Sequence, residues 1–410
     1  MTVQSAQALR WAAAPAAAFL RLRRHVLPGL AVALCLWGTG GARAMTIETA
    51  LPLKPADFSS LPGWTQDDHL AAIQAFLRFC AGAEQGFAGP AALQRALTAA
   101  CRKAQEEAPA TDAAARAFFE REFRPYHVAS DGFVTAYFEP EVRGARQPSP
   151  AYSTPLYRAP EGLSALKPEN APKGLAGLTH ALKTEQGFHE MPDRGAIMDG
   201  VIKGRGLELV WLADPIDAYF VHVQGSTRIR LEDGSVMRAG YAGKTGHPYT
   251  AIGKVLVEAG EGTPEDFTMQ GLRAWLKANP ERMDGLFRRN RSFIFFREVT
   301  EVGPELGPIG AAGLPLVPGR SLAIDPRFHS YGLPVFVGAD LSGAGLAQRQ
   351  WQRLMIADDT GSAIRGAARG DIFMGSGDAA GVAAGAVRHK ASFTILLPRV
   401  LTPKPSGQGS

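Results

Sequence analysis

A β-rich chain with added helices, in which one β-domain is inserted into a second, mixed domain, is the fold class this sequence predicts. Three observations predict it. Apolar residues recur with helical spacing over 65–123, and strand patterning begins at Phe133. Strand signals fill 208–242, and helical patterns return at 248–260 and 264–278. Residues 292–297 and 315–400 then revert to short strands and turns, with one small-residue helix near 378–387.

Taken in order, 45–60 is a short lead-in and 65–123 holds three helices. Thr65 is the expected N-cap, with Asp67 and Asp68 in the first turn. Phe133-Val134-Thr135-Ala136-Tyr137-Phe138 reads as a strand. Residues 139–175, rich in Pro, Gly and Ala, read as loop. Ala218-Tyr219-Phe220-Val221-His222-Val223 reads as a strand, and Asp233-Gly234 as a hairpin turn. Thr263-Pro264-Glu265 is a helix start signal. Residues 401–410 are expected to be a disordered tail.

Length and charge narrow the function classes. At 410 residues, with 46% hydrophobic and 20% charged residues, the chain is long enough for more than one core and is ordinary globular material. The formal net charge of +5 resides in the first 44 residues, which hold five arginines and no acid. Without them 39 basic residues face 39 acids, so there is no electrostatic case for nucleic acid. Arg21–Arg24, an uncharged stretch from Val26 to Thr39, and Ala42-Arg43-Ala44 read as an export signal over 1–44. Arg23-Arg24-His25-Val26-Leu27 also carries a weak twin-arginine pattern. Cys35 lies in the apolar part. Leu34 stands where a lipoprotein signal carries a small residue, and Leu36-Trp37 continue the run, which argues against a lipid anchor. The expected location is the periplasm, with association at the outer membrane as an option.

In an oxidising compartment Cys80 and Cys101 are a disulfide candidate. Ile73, Phe76, Leu77 and Cys80 share one helical stripe, and Leu93, Leu97 and Cys101 another. Two helices joined through 82–90 would face the cysteines together; two separately buried thiols are the alternative. No paired Cys-x-x-Cys or His-Glu-x-x-His occurs, so neither metal nor cofactor is expected. Gly375-Ser376-Gly377-Asp378-Ala379-Ala380 imitates a dinucleotide fingerprint. It lacks the following βαβ unit and acid, so it reads as a turn with Asp378 as N-cap.

The chemistry-bearing residues concentrate near the C-terminus. Asp325, Asp359 and Asp371 each border an apolar run within 321–378. Any one could simply cap a turn, but three in one β-region point to a site. Asp371 is flanked by Ile372 and Phe373, and an apolar neighbourhood raises a carboxyl pKa, as a general acid near neutral pH requires. Thr135, Tyr137, Gln224 and Ser226 lie on or beside expected strands. They read either as an outward strand face or as a hydroxyl-rich surface for sugars.

Asp131–Pro140, Val223-Gln224-Gly225-Ser226, Tyr241–Tyr249 with Ile252-Gly253-Lys254, Asn290–Phe296 and Pro315–Ser321 resemble, in order, motifs of the membrane-bound lytic transglycosylase A (MltA) family. Asp325, Asp359 and Asp371 are similar to its three-aspartate module. The resemblance runs from about residue 58 to 400. It implies a periplasmic enzyme that cleaves peptidoglycan glycan strands. It also implies a double-psi β-barrel with added helices (45–138 and 244–400, the three-aspartate module from about 310) and a smaller inserted β-domain (139–243), with the glycan in a groove between them. Asp371 falls on the catalytic acid, with Asp359 and Asp325 in support. Thr135, Tyr137, Gln224, Ser226 and Lys244 fall on positions lining or shaping the groove. Cell-wall synthesis or division proteins are candidate partners, and a monomer is the simpler expectation. Two rival readings remain open: a hydrolase using a second carboxylate (Asp359, Glu139 or Glu141) and a non-catalytic wall-binding module.

Overall fold

The computed structural model describes residues 45–49, 51–82, 90–166, 171–303, 306–342 and 350–405. The expected export signal with Cys35 and the end of the expected tail lie outside them. The described chain begins with β1 (Met45–Thr49), β2 (Leu53–Pro55), α1 (His69–Gly82), α2 (Ala91–Glu107), α3 (Asp112–Glu122), β3 (Phe123–Val128), β4 (Gly132–Glu139) and β5 (Glu141–Ala145). Next come β6 (Thr154–Tyr157), β7 (Leu163–Ala165), β8 (His180–Thr184), β9 (Gly187–His189), α4 (Arg194–Met198), β10 (Glu208–Leu212), α5 (Pro215–Gln224), β11 (Ser226–Leu231) and β12 (Val236–Lys244). Then follow α6 (Ile252–Glu258), α7 (Met269–Ala278), α8 (Pro280–Arg288) and β13 (Ile294–Glu298). The chain finishes with β14 (Ser321–Ile324), β15 (Pro334–Asp340), β16 (Gln350–Asp359), β17 (Arg369–Ser376), α9 (Gly377–Ala386), β18 (Arg388–Pro398) and β19 (Leu401–Pro405).

The barrel follows from strand pairing. The order β15-β16-β14-β17-β4-β18 returns to its start because β18 also pairs with β15, which closes six strands and removes their free edges. β3 and β2 extend the sheet beyond β18. β18 serves three neighbours: β4 through Arg388–Ala391, β15 through Ala391–Ile395 and β3 through Thr394–Pro398. Inward residues such as Val134, Leu322, Val335, Leu354, Ile372 and Phe393 are buried in one core with Ile73, Phe76, Leu97 and Phe118 of the helices.

Two bonds fix the helical layer. Cys80 and Cys101 form a disulfide between α1 and α2, with Cα atoms 5.2 Å apart. Closing this loop is worth about 3 kcal/mol. Arg320 donates to both Asp67 oxygens at 2.9 and 3.0 Å, and Leu354 N–H donates to the same carboxylate at 2.7 Å. A buried charge pair is tolerated only when its remaining bonds are also made, as here. Asp68 caps α1 by accepting from Ala71 N–H, so the first helix starts later than Thr65 suggested.

The second sheet has the order β13-β12-β11-β5-β10-β6, with a small β7-β8-β9 sheet beside it in sequence. Five of its strands come from the region expected as the insert, and β13 joins from beyond residue 244. That return differs from the expected boundary: Phe295 and Phe296 are fully buried and give the strand an apolar anchor on this sheet.

Other expectations change. Residues 139–175 are not loop throughout, since they carry β5, β6 and β7. Residues 218–223 are helical, inside α5, where Asp214 caps Ile216 N–H, Pro215 opens the helix and Gly225 ends it at φ 85°. Thr263-Pro264-Glu265 forms a turn held by Asp266, and α7 starts behind Thr268, whose hydroxyl accepts from Gly271 N–H. Leu401–Pro405 is no tail but β19, paired parallel with β1. Among the described residues no helix is long and apolar enough to cross a membrane.

Candidate active site

β4 organises the site because alternate residues of a strand share a face. Thr135, Tyr137 and Glu139 are such a set, and each engages an acid or is one. β4 runs parallel to β17 with Thr135 opposite Asp371 and Tyr137 opposite Phe373. The Thr135 hydroxyl donates to Asp371 Oδ1. The Tyr137 hydroxyl donates to Asp359 Oδ2 at 2.5 Å, while its ring lies 5.3 Å from that of Phe373. Glu139 is fully buried and meets Arg228 at 2.9 Å, Arg238 at 2.8 Å and the Ser376 hydroxyl at 2.7 Å. Both arginines belong to the second sheet, so this carboxylate ties the sheet to the barrel.

Asp371 is half-buried on β17. Burial pushes its carboxyl up to about 6; the Thr135 hydrogen bond and the Arg369 charge pull it down, and the Asp359 charge pushes it up. Asp359 is raised by burial, against hydrogen bonds from Tyr137 and from Ala311 N–H at 2.8 Å. Tyr137 is held well above the usual phenol range by burial and the Asp359 charge, so it stays a donor. The neighbouring Asp358 is buried, accepts from the Ser321 hydroxyl at 2.6 Å and is pushed well up by burial.

The remaining expected residues spread outward from this cluster. Gln224, on α5 rather than on a strand, accepts from Phe138 N–H at 3.2 Å and so reaches the backbone beside Tyr137. Ser226 is buried at the start of β11, opposite Gly240. Lys244 ends β12 and donates to the Ser362 hydroxyl at 2.9 Å, just past Asp359. Burial, then the Arg365 charge, lowers its pKa. Asp325 stands apart in role. It accepts from the Arg327 guanidinium at 2.5 Å and from Gly366 N–H at 2.8 Å, joining the turn after β14 to the loop before β17. Cys80 and Cys101 belong to the helical layer.

α9 packs against β4 and β17 through its small face. A Cβ at Gly381 would lie 2.8 Å from the Phe138 ring, so only glycine permits this approach. Gly377 has φ 81° and serves the turn into the helix. Asp378 lies in the first turn, with Ser376 as the capping position.

Sequence reasoning missed Arg369 and Tyr249. Arg369 donates to the Thr135 hydroxyl oxygen at 2.7 Å. Its position two residues before Asp371 on a strand placed it on the same face, and that signal was readable. Tyr249 is raised by burial and also responds to the Asp371 charge; nothing local in the sequence marks that proximity.

A closed barrel that carries a cluster of aspartates whose pKa burial raises, Asp358, Asp359 and Asp371, beside a second sheet defines the class. Two family models match this chain: the MltA specific insert domain over residues 133–297 and the 3D domain over 320–397. The solved structure of a membrane-bound lytic murein transglycosylase from Agrobacterium tumefaciens is 40% identical, with a TM-score of 0.79, over 85% of this chain and 98% of that one. MltA from Neisseria gonorrhoeae, in its monoclinic form, is 29% identical with a TM-score of 0.70, over 88% of this chain and 98% of that one. Membrane-bound lytic murein transglycosylase A of Vibrio cholerae is 30% identical over 262 residues, and this chain spans 62% of its length. The chain belongs to the MltA family.

Proposed function

We propose that this protein is a lytic transglycosylase acting on peptidoglycan in the cell envelope. Asp371 would serve as its single catalytic acid–base. The observation that carries the reading is the setting of Asp371: half-buried, raised to about 6 and in contact with a hydroxyl donor on the neighbouring strand. Such a carboxyl keeps its proton up to about pH 6, well above an ordinary aspartate, and can give it up. The names of the relatives add the substrate class.

Water is not a reactant. Protonated Asp371 gives its proton to the oxygen linking N-acetylmuramic acid to N-acetylglucosamine, and the C1–O bond breaks. Positive charge develops on the muramoyl ring. The Asp371 carboxylate then takes the proton of that ring's C6 hydroxyl, and the oxygen closes on C1. The products are a free C4 hydroxyl on the leaving sugar and a 1,6-anhydro ring. One carboxyl suffices because the nucleophile is already tethered at high effective molarity.

The pairing of the other acids supports one acid rather than two. Glu139 is locked by two arginines, and Glu141 pairs with Arg230. Asp359 already accepts from Tyr137 on one oxygen and from Ala311 on the other. None is set up to activate a water. Purified peptidoglycan incubated with the protein should release fragments one water lighter than ordinary reducing-end fragments, read by mass spectrometry. Ordinary reducing ends would make it a hydrolase, and intact glycan with retained binding would make it a wall-binding protein.

A further inference from the structure

Resting on the reading of Asp371 as the acid, we propose that Arg369 is a positioning residue that acts through Thr135 to decide which Asp371 oxygen carries the transferable proton. Arg369 Nη2 donates to Thr135 Oγ1 at 2.7 Å, and a guanidinium can only donate. The Thr135 oxygen is therefore an acceptor on that side. Its one hydrogen is directed to its other partner, Asp371 Oδ1. Oδ1 is thereby an acceptor as well, in both protonation states of Asp371. When the carboxyl is neutral its proton sits on Oδ2, and Oδ2 is the oxygen that delivers it and later receives one back.

The arrangement is built rather than incidental. Arg369 also donates to Gly370 O and lies 5.5 Å over the Phe133 ring, which holds the guanidinium in place. Arg369, Thr135 and Asp371 sit on two parallel strands in fixed register. A relay of this kind orients the acid, and its positive charge favours the carboxylate, which keeps the group able to release its proton. The other titratable groups that respond to the Asp371 charge are Asp359, Tyr137 and Tyr249. From the far side of β4, Arg388 of β18 lies opposite Thr135 and Lys390 opposite Phe133.

The test separates this from the parent reading by measuring the acid directly. Asp371 is titrated by carboxyl-carbon NMR in the unaltered protein and in Arg369→Met, Arg369→Lys, Thr135→Val and Thr135→Ser. Arg369→Met and Thr135→Val should move the midpoint up by about one unit. Arg369→Lys and Thr135→Ser, which keep the charge or the hydroxyl, should stay within a few tenths of the unaltered protein. In the digestion assay kcat/KM should show the same order, with its alkaline limb moving with the midpoint. Unmoved midpoints in both Arg369→Met and Thr135→Val would overturn the proposal, whatever happens to activity. Midpoints that move as expected in a protein that leaves glycan intact would sustain the relay and defeat the parent reading instead.

Discussion

Asp325 and Asp371 are two aspartates of one module, both at ends or seams of barrel strands, and the fold treats them in opposite ways. Asp325 follows β14 and is fully buried, yet its carboxyl is held below the usual range. Burial pushes it up, and the Arg327 guanidinium with the Gly366 and Arg327 N–H groups outweighs that push. Asp371, on the adjoining β17, has one hydroxyl donor and a more distant charge, and burial wins. The difference teaches that burial alone does not make an acid. What matters is whether enough donors surround the carboxylate to cancel the cost of burying it.

The sharpest way to break this contrast is to neutralise each acid in turn. Asp371→Asn should lower glycan cleavage by roughly a thousandfold or more while leaving circular dichroism and cooperative unfolding intact. Activity within tenfold of the unaltered protein would remove Asp371 from the chemistry. Asp325→Asn should do the reverse: activity at low temperature persists, and unfolding in denaturant shows a loss of about 2 kcal/mol, as expected when a buried, hydrogen-bonded charge is lost.

The pH dependence sharpens the same comparison. As the proposed acid, Asp371 must be protonated to act, so cleavage should fall about tenfold per unit above roughly pH 6. Its raised pKa favours the neutral form in the fold. Stability should therefore decline as pH rises from the ordinary 3.8 to about 6, and Asp371→Asn should erase that decline. Asp325 has a lowered pKa, so its contribution is present above 3.8 and is lost as pH falls through its folded value. Thermal melts across pH 3 to 8 would show both slopes. The smallest effect is expected for Tyr137→Phe, which removes the donor to Asp359 without changing the packing on Phe373. Cleavage should fall several-fold, because Oδ2 of Asp359 then loses its donor and only the Ala311 N–H bond to Oδ1 remains.

How much of this was readable beforehand depends on how local each cause is. The three N-terminal helices, the Asp233-Gly234 hairpin and the small-residue helix α9 follow from spacing and turn residues, and each is present. The aspartate cluster was visible as residues, and its motif resemblance singled out Asp371. Its sorting into a clamp and a raised acid was not visible, because the deciding partners are remote in sequence: Thr135 lies 236 positions from Asp371, and Tyr137 lies 222 from Asp359. Helix α5 reads as a strand for a physical reason. Ile216 and Ala218–His222 are all buried, so no polar face exposes the helical period and the aromatic run resembles a strand. The Asp214-Pro215 start and Gly225 stop were in the sequence and should have outweighed that run. β19 depends on pairing with β1, more than 350 residues away, and no local signal announces it.

The most direct test of the central claim is cleavage of peptidoglycan in water enriched in oxygen-18. A single acid using the sugar's own C6 hydroxyl takes no oxygen from solvent, so the new ends should be 1,6-anhydro sugars without label. Reducing ends carrying one heavy oxygen per cut would show that water is the nucleophile, and would contradict the account of Asp371 as a sufficient acid.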